Sequence, residues 1–119
     1  MTATVSSHTL NGVDGTHAGG VSVTLTRLNA DNTRDVIFQT ETDPAGRLMQ
    51  EISSEKIAAD DNFEMVFATG AYWATQKLPQ NGHRIMSEVV VRFTMPDTTG
   101  RYHIPVIISP NSYSVWWSS

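Results

Sequence analysis

The segment at residues 21–28 most constrains how this chain can fold. Its apolar residues Val21, Val23 and Leu25 alternate with serine and threonine. A period of two residues is typical of a β-strand that buries one face, because successive side chains of a strand point to opposite sides. Segments of the same style recur along the chain, and stretches rich in glycine, proline, asparagine and aspartate, which favour turns, separate them.

About eight short strands are predicted in this way. They are residues 4–10, 21–28, 36–40, 47–52, 63–68, 88–95, 102–109 and 112–118. Charged residues make up only 17% of the chain while threonine and valine are frequent, which favours strands over helices. The number and spacing of the strands predict an all-β fold, an eight-stranded antiparallel sandwich of two sheets.

Two stretches do not follow the strand pattern. Residues 53–61 begin with a capping serine followed by good helix formers, and residues 70–78 place Tyr72, Trp73 and Gln76 at helical spacing. We expect one short helix and prefer residues 70–78, because the aromatic side chains there have surface to bury. The chain of 119 residues shows no repeat or linker, so one domain covering residues 1–119 is expected.

Composition excludes several classes of function. The absence of cysteine removes disulfides, thiolate metal ligands and thiol chemistry, and it fits a reducing compartment. The net charge of −4 includes no basic cluster, so nucleic acid is not an expected partner. No apolar run reaches the roughly 18 residues of a membrane helix, and residues 1–10 lack the features of a signal peptide. We therefore expect no membrane partner and a cytoplasmic location.

Motifs for metals, phosphates and nucleophilic serine are missing from the sequence. No histidine or carboxylate spacing is typical of a metal site, so neither a metal nor a cofactor is expected. Asp60, Asp61 and Glu64 are interpreted as a solvated turn. The glycines between residues 12 and 20 are interpreted as turn residues, because no phosphate-loop motif contains them. No G-x-S-x-G motif indicates a serine hydrolase.

The four histidines fall into two pairs. His17 and His83 lie in predicted turns and are interpreted as surface residues. His8 and His103 lie in predicted strands, and His103 is on a partly apolar outer face, where a neutral imidazole is suited to proton transfer. Arg47 follows a tight Asp-Pro-Ala-Gly turn that could aim its guanidinium group, whereas a residue of this kind taken alone is more often an ordinary surface arginine.

The C-terminal segment places two tryptophans within four residues of the chain end. Strand alternation puts Trp116 and Trp117 on opposite faces, so one indole is expected to join the core and the other to leave it. The outer face of residues 102–109 is also too apolar for simple exposure to solvent. Apolar outer positions on two successive strands predict an oligomeric interface.

Several blocks of the sequence closely resemble the transthyretin-like 5-hydroxyisourate hydrolase family. They are SHTLN from Ser7, VSVTLTRL from Val21, TDPAGR from Thr42, FATGAYW from Phe67 and YHIPVIISP from Tyr102, followed by Tyr113 and Ser114. The blocks occur in the family's order over nearly the whole chain. The resemblance implies a sandwich of eight strands with one short helix, assembled as a homotetramer whose active sites lie in the channel between dimers.

The resemblance also implies a reaction, the hydrolytic opening of 5-hydroxyisourate, a small heterocyclic substrate. His8 and His103 match the family's two histidines, of which one would deprotonate water while the other orients or protonates. Arg47 matches an arginine that would stabilise charge on the attacked carbonyl. The residues expected to bind substrate in the channel are Ser114, Trp116 and Ser119.

The tail departs from the family pattern. Family hydrolases end in Tyr-Arg-Gly-Ser, whereas this chain ends in Trp116-Trp117-Ser118-Ser119, and Asn11 replaces the family's usual aspartate. A pocket changed in this way favours a flatter or less anionic ligand, or is partly plugged. Three hypotheses stay open: a 5-hydroxyisourate hydrolase, a related enzyme of a specialised pathway acting on another heterocycle, and a small-molecule binding protein. Retention of both histidines and the arginine argues against a pure binder.

Overall fold

The computed structural model describes residues 1–77 and 82–119, which form nine β-strands and one short α-helix. The strands are β1 (Thr2–Asn11), β2 (Ser22–Leu28), β3 (Arg34–Glu41), β4 (Arg47–Ser53), β5 (Asn62–Phe67), β6 (Val89–Thr94), β7 (Arg101–His103), β8 (Val106–Ser109) and β9 (Ser112–Val115). The helix α1 covers Thr69–Ala74, and a single 3-10 turn covers Ser54–Lys56. The predicted all-β class is confirmed.

The strands form two sheets. The first sheet has the order β4-β1-β8-β9, and the short strand β7 also pairs with β1; the second has the order β3-β2-β5-β6. Strand β1 runs antiparallel to β4 but parallel to β7 and β8. The other described pairs are antiparallel, as predicted. The sandwich is therefore confirmed, with two parallel pairs as exceptions.

The core contains the inward-facing side chains of both sheets. Strand alternation buries Val23 and Leu25 of β2 completely, as the sequence predicted, and it buries Phe63, Met65 and Phe67 of β5 in the same way. Each such side chain contributes about 1.5–3 kcal/mol when it leaves water, which makes the choice of inner face decisive for the fold. The outer faces carry polar side chains such as Ser6 and His8 of β1, together with exposed apolar residues such as Met49 and Val90.

The strand predicted at residues 102–109 is in fact two strands, because the ladder breaks at Ile104 and Pro105. Proline has no N–H to donate, so a continuous ladder cannot pass through it. The break is nevertheless held firmly against β1: the Ile104 N–H donates to the Ser6 carbonyl at 2.8 Å, and the buried Ser7 hydroxyl donates to the Ile104 carbonyl at 2.6 Å. These bonds fix the position of His103, the last residue of β7.

The preferred helix prediction is confirmed, although α1 is shorter than residues 70–78. Its Tyr72 and Trp73 are buried and meet edge to face, with ring centroids 5.1 Å apart. The alternative stretch at residues 53–61 contains only the 3-10 turn. The predicted end of the helix at residue 78 lies outside the described residues.

Buried Asn11 at the end of β1 uses both sides of its amide group. Its Nδ2 donates to the Tyr72 hydroxyl at 3.0 Å, while its Oδ1 accepts the backbone N–H groups of Val13 and Asp14 at 2.9 and 3.2 Å. The Tyr72 hydroxyl accepts from the amide here and could equally donate to a carboxylate, so nothing in the structure explains why asparagine replaces the family's aspartate.

The C-terminal segment corrects the expectation that one indole joins the core. Strand β9 ends at Val115, whose side chain packs against the core, whereas Trp116 and Trp117 are 46% and 62% exposed. Beyond Val115 the chain leaves β8 and pairs instead with His103 through Ser118. Strict strand alternation, on which the expectation depended, therefore stops one residue before the first tryptophan.

Glu64 is another correction, because it lies in β5 and not in a solvated turn. The side chain is buried on the outer side of the second sheet, where it accepts Arg34 Nη1 at 2.6 Å and Arg92 Nη2 at 2.5 Å. Hydrogen bonds from Arg92 and Arg34 hold the pKa of the Glu64 carboxyl below its usual value. No helix of the described residues is long and apolar enough to cross a membrane.

Candidate active site

The outer face of the first sheet brings the three predicted catalytic residues onto adjacent strands. The period of two in β1 puts Ser6 and His8 on this face, and the pairing of β1 with β4 sets His8 opposite Arg47. On the other side of β1, the pairing with β7 sets Ser6 beside His103. Residues separated by as many as 97 positions in sequence are thus neighbours through strand register.

Arg47 begins β4 directly after a tight turn. The Asp43 carboxylate accepts the backbone N–H groups of Ala45 and Arg47, each at 2.9 Å. Gly46 has a φ of +75°, and a Cβ at this position would clash with the Thr9 carbonyl oxygen, so the turn requires glycine. The turn fixes the start of β4, and among residues 1–77 and 82–119 the Arg47 guanidinium has no carboxylate partner.

His103 is half-buried and held from two directions. Its Nδ1 lies 2.8 Å from the Ser6 hydroxyl, with which it shares a hydrogen bond. Its backbone pairs with Ser118, since the His103 N–H donates to the Ser118 carbonyl at 2.9 Å and the Ser118 N–H donates back at 2.8 Å. Within the described residues Nε2 makes no hydrogen bond. His103 therefore has one ring nitrogen available to a ligand or to water.

His8 is paired with a histidine that sequence interpretation treated as an isolated surface residue. His8 Nε2 lies 2.9 Å from His17 Nδ1, and the two ring centroids are 5.0 Å apart. Partial burial lowers the pKa of His8 below its ordinary value, and the charges of Arg47, His17 and His103 lower it further, against a backbone hydrogen bond at Ala45. His8 is consequently neutral at neutral pH.

Two adjoining depressions open on this face, with volumes of about 330 and 340 Å³. They share Ser6, Met49 and His103; the first also contains Arg47, and the second also contains Ser119. Volumes of this size are at the lower end of the range for small-molecule sites. A charged donor, an imidazole nitrogen and hydroxyl groups therefore converge on a space that fits a small molecule.

The predicted substrate-binding residues do not all lie at these depressions. Ser119 lines the second, whereas Ser114 pairs with Ile107 between β8 and β9, and Trp116 follows it; both are exposed and line neither depression. Sequence reasoning missed Ser6, although it lies two residues before His8 in an alternating strand and must share its face. It also missed Met49, which lies two residues after Arg47 in β4 and shares its face. His17 and Ser118 were missed because their positions depend on chain pairing that no local pattern reveals.

The described residues contain no group of three histidine, cysteine, aspartate or glutamate side chains placed to hold a metal ion. The two-sheet sandwich carries a candidate site of imidazole and arginine groups on one outer face, an arrangement suited to binding or hydrolysing a small molecule.

Comparison with known proteins is consistent with this class. The HIUase/Transthyretin family model matches residues 5–117. A 5-hydroxyisourate hydrolase of Halalkalibacterium halodurans is 27% identical over 119 residues, which cover 100% of both chains. A 5-hydroxyisourate hydrolase of Salmonella typhimurium is 31% identical over 115 residues, covering 97% of this chain and 80% of that protein. Sea bream transthyretin in complex with thyroxine matches with a TM-score of 0.81 at 25% identity, covering 96% of this chain and 93% of that chain.

The chain belongs to the HIUase/Transthyretin family. The predicted family is thereby confirmed, as is the expectation of a hydrolase resembling the 5-hydroxyisourate hydrolases at the level of family and enzyme class.

Proposed function

We propose that this chain hydrolyses 5-hydroxyisourate, with His8, Arg47 and His103 as its catalytic residues. The observation that carries the proposal is the convergence of Arg47 and His103 on one depression, with His8 paired to Arg47 across β1 and β4. The relatives bearing that enzyme name extend over the whole chain, which supports the same reaction.

The proposed base is His103. Its Nδ1 is held at Ser6, so its Nε2 accepts a proton from a water molecule as the water oxygen attacks a ring carbonyl carbon. The carbon–nitrogen bond of the ring then breaks, and the proton passes from the imidazole to the departing nitrogen. The new carboxylic acid ionises and releases one proton to solvent, so each turnover consumes one water molecule.

Arg47 supplies positive charge where negative charge develops. Its guanidinium group is planar, always protonated and able to donate several hydrogen bonds to the oxygen of the attacked carbonyl or to an anionic oxygen of the substrate. Since no described carboxylate pairs with it, its donors remain available to the substrate. His8, which stays neutral beside it, adds no competing cation and orients the substrate.

The substrate-binding residues proposed for the tail are Ser114, Trp116 and Ser119. Ser119 reaches the site within one chain, whereas exposed Ser114 and Trp116 would contribute where a second copy covers the same face. We therefore propose a homotetramer, four chains of 13.1 kDa or about 52 kDa in total. Light scattering at micromolar concentration tests this assembly, and a stable monomer would remove the channel site.

A second candidate is a related enzyme that opens another heterocycle. It is favoured by the exposed indoles of Trp116 and Trp117, which stand where the family pattern has tyrosine and arginine. The third is a small-molecule binding protein, which the thyroxine complex of sea bream transthyretin illustrates for that protein. The available His103 Nε2 argues for chemistry, because a pure binder does not need a base at this position.

The remaining proposals concern the whole chain. We propose a single domain over residues 1–119, since one core joins both sheets. We also propose a cytoplasmic location, for which the absence of cysteine is the support.

The experiment follows the absorbance of freshly generated 5-hydroxyisourate with and without protein. We expect rapid, saturable loss of substrate at nanomolar to micromolar protein, and no acceleration by heat-denatured protein. A wild-type rate equal to the spontaneous rate would exclude the first candidate. Tight binding of the substrate without acceleration would favour the binding protein, and neither binding nor acceleration would favour another heterocycle.

A further inference from the structure

The loop that follows β1 places His17 beside His8. The loop returns along the strand, where the Asn11 N–H donates to the Thr16 carbonyl at 2.8 Å and the Ala18 N–H donates to the Thr9 carbonyl at 2.9 Å. These bonds lie on both sides of His17, which itself forms an isolated bridge with Leu10. The position of its ring is therefore determined by backbone pairing and not by a freely moving surface chain.

The turn before β4 completes this arrangement. Gly46 lies close enough that a Cβ there would be 3.4 Å from the Cβ of His17. The Thr9 N–H donates to the Gly46 carbonyl at 2.7 Å. The loop of His17, the strand of His8 and the turn of Arg47 are thus packed together through a single glycine.

We infer that His17 is a positioning residue for His8, holding the His8 imidazole in one orientation and one tautomer beside Arg47. The contact is direct, because His8 Nε2 and His17 Nδ1 are 2.9 Å apart. The effect on turnover rests on the proposed function; the tautomer of His8 does not.

The tautomer follows from the partners of the two ring nitrogens. A backbone hydrogen bond at Ala45 raises the pKa of His8, as donation from a ring N–H to a carbonyl does. The 2.9 Å contact between His8 Nε2 and His17 Nδ1 requires one ring to donate and the other to accept, so each direction of donation goes with one tautomer of His8. In the proposed arrangement Nε2 accepts the His17 Nδ1–H, and the His8 proton is on Nδ1. Protonation of His8 at Nε2 would require His17 to give up this donation, and the charge of His17 itself lowers the pKa of His8.

The charges around His8 act in the same direction. Arg47 faces it from β4, His103 from β7 and His17 from the loop, and all three disfavour a second cation. The Asp43 carboxylate in the adjacent turn is engaged by the backbone N–H groups of Ala45 and Arg47. The surrounding groups therefore favour the neutral form of the His8 imidazole.

Nuclear magnetic resonance of the full chain with ¹⁵N-labelled histidine measures the tautomer and the titration of His8. Wild type is expected to show Nδ1–H with Nε2 unprotonated. In H17A we expect a mixture of tautomers and a higher His8 pKa, because the partner is lost and water enters. In H17N the side-chain amide lies near the place of Nδ1, so the wild-type tautomer should return. H83A, which changes an exposed histidine of another loop, is the matched control.

Turnover of 5-hydroxyisourate gives a second, separate readout. H17A should lower kcat about tenfold with little change in KM, less than the loss expected for a proton-transfer group, and H17N should recover most of it. An unchanged His8 tautomer and pKa in H17A would overturn the inference, even if the enzyme is active. A wild type without activity would instead defeat the proposed function and leave the spectroscopic result to decide the role of His17.

Discussion

The two outer faces of the sandwich use arginine in opposite ways. On the second sheet, Arg34 and Arg92 both donate to the buried Glu64 carboxylate, so their charges are neutralised within the protein. On the first sheet, Arg47 has no described carboxylate partner and opens onto a depression together with His103. Arginine side chains thus form ion pairs within the protein on the second sheet, whereas Arg47 on the first sheet is available to a ligand.

Volume alone would favour the other face. The depression beside the second sheet has a volume of about 610 Å³, larger than either depression over the first, and it is bordered by Arg34, Arg92 and Asp61. Its arginines already have a carboxylate partner, and no histidine lines it. The presence of uncommitted groups that can move protons, and not volume, distinguishes a reactive site.

Loss of the proposed base should have the largest effect on activity. We expect H103N to lower kcat on 5-hydroxyisourate by at least about 10²-fold, because asparagine keeps polarity near Nδ1 but cannot accept the proton from water. Circular dichroism should show an unchanged fold. H83N, at an exposed histidine, should keep wild-type activity; an equal loss in both variants would contradict the assignment to the first sheet.

The arginines allow the two faces to be compared directly. R47K should lower kcat/KM about tenfold or more, because lysine keeps the charge but loses the planar arrangement of donors. R92K on the second sheet should keep full activity and change only stability. Similar activity losses in the two variants would mean that the arginines act through the fold.

Replacement of the C-terminal tail tests which substrate is native. Replacing Trp116–Ser119 by Tyr-Arg-Gly-Ser should leave 5-hydroxyisourate hydrolysis unchanged or improve it if that is the native substrate. If the tail serves another flat ligand, wild type should act poorly and the replacement should gain activity. Loss of an indole contact of about 1 to 3 kcal/mol corresponds to roughly 5- to 150-fold in binding. Steady-state kinetics of both proteins, side by side, decide between the two outcomes.

Neutralising Glu64 should affect stability alone. We expect E64Q to lower the free energy of unfolding at pH 7 by about 1 kcal/mol, since its arginine partners are more than half exposed, without loss of activity. The pKa of Glu64 is lowered in the fold, so its contribution is present above the unfolded value and disappears as pH falls through the folded value. Urea denaturation at several pH values should show that the difference in free energy of unfolding between wild type and E64Q becomes smaller at acidic pH.

The sequence predicts most of the fold because strand alternation is a local property. Val23 and Leu25 are buried as expected, and the helix forms where Tyr72 and Trp73 give it an apolar side. The expectation for the tail was wrong because Ser118 leaves the ladder of β8 to pair with His103, a long-range event that alternation does not encode.

The residues of the candidate site were also predicted only in part, depending on whether their placement is local or long-range. The resemblance to the family supplies His8, Arg47 and His103, and strand register accounts for their neighbourhood. The partner His17 escaped prediction, because its role depends on how a loop returns along β1. Glu64 was misinterpreted for a similar reason, since its arginine partners come from β3 and β6.

The central claim is that histidines on the outer face of the first sheet perform the chemistry. The most direct measurement compares the decay of freshly generated 5-hydroxyisourate in the presence of wild type and of the double variant H8N/H103N, both shown to be folded. The account predicts clear acceleration by wild type and decay at the spontaneous rate with the double variant. Catalysis by the double variant at the wild-type rate would contradict it.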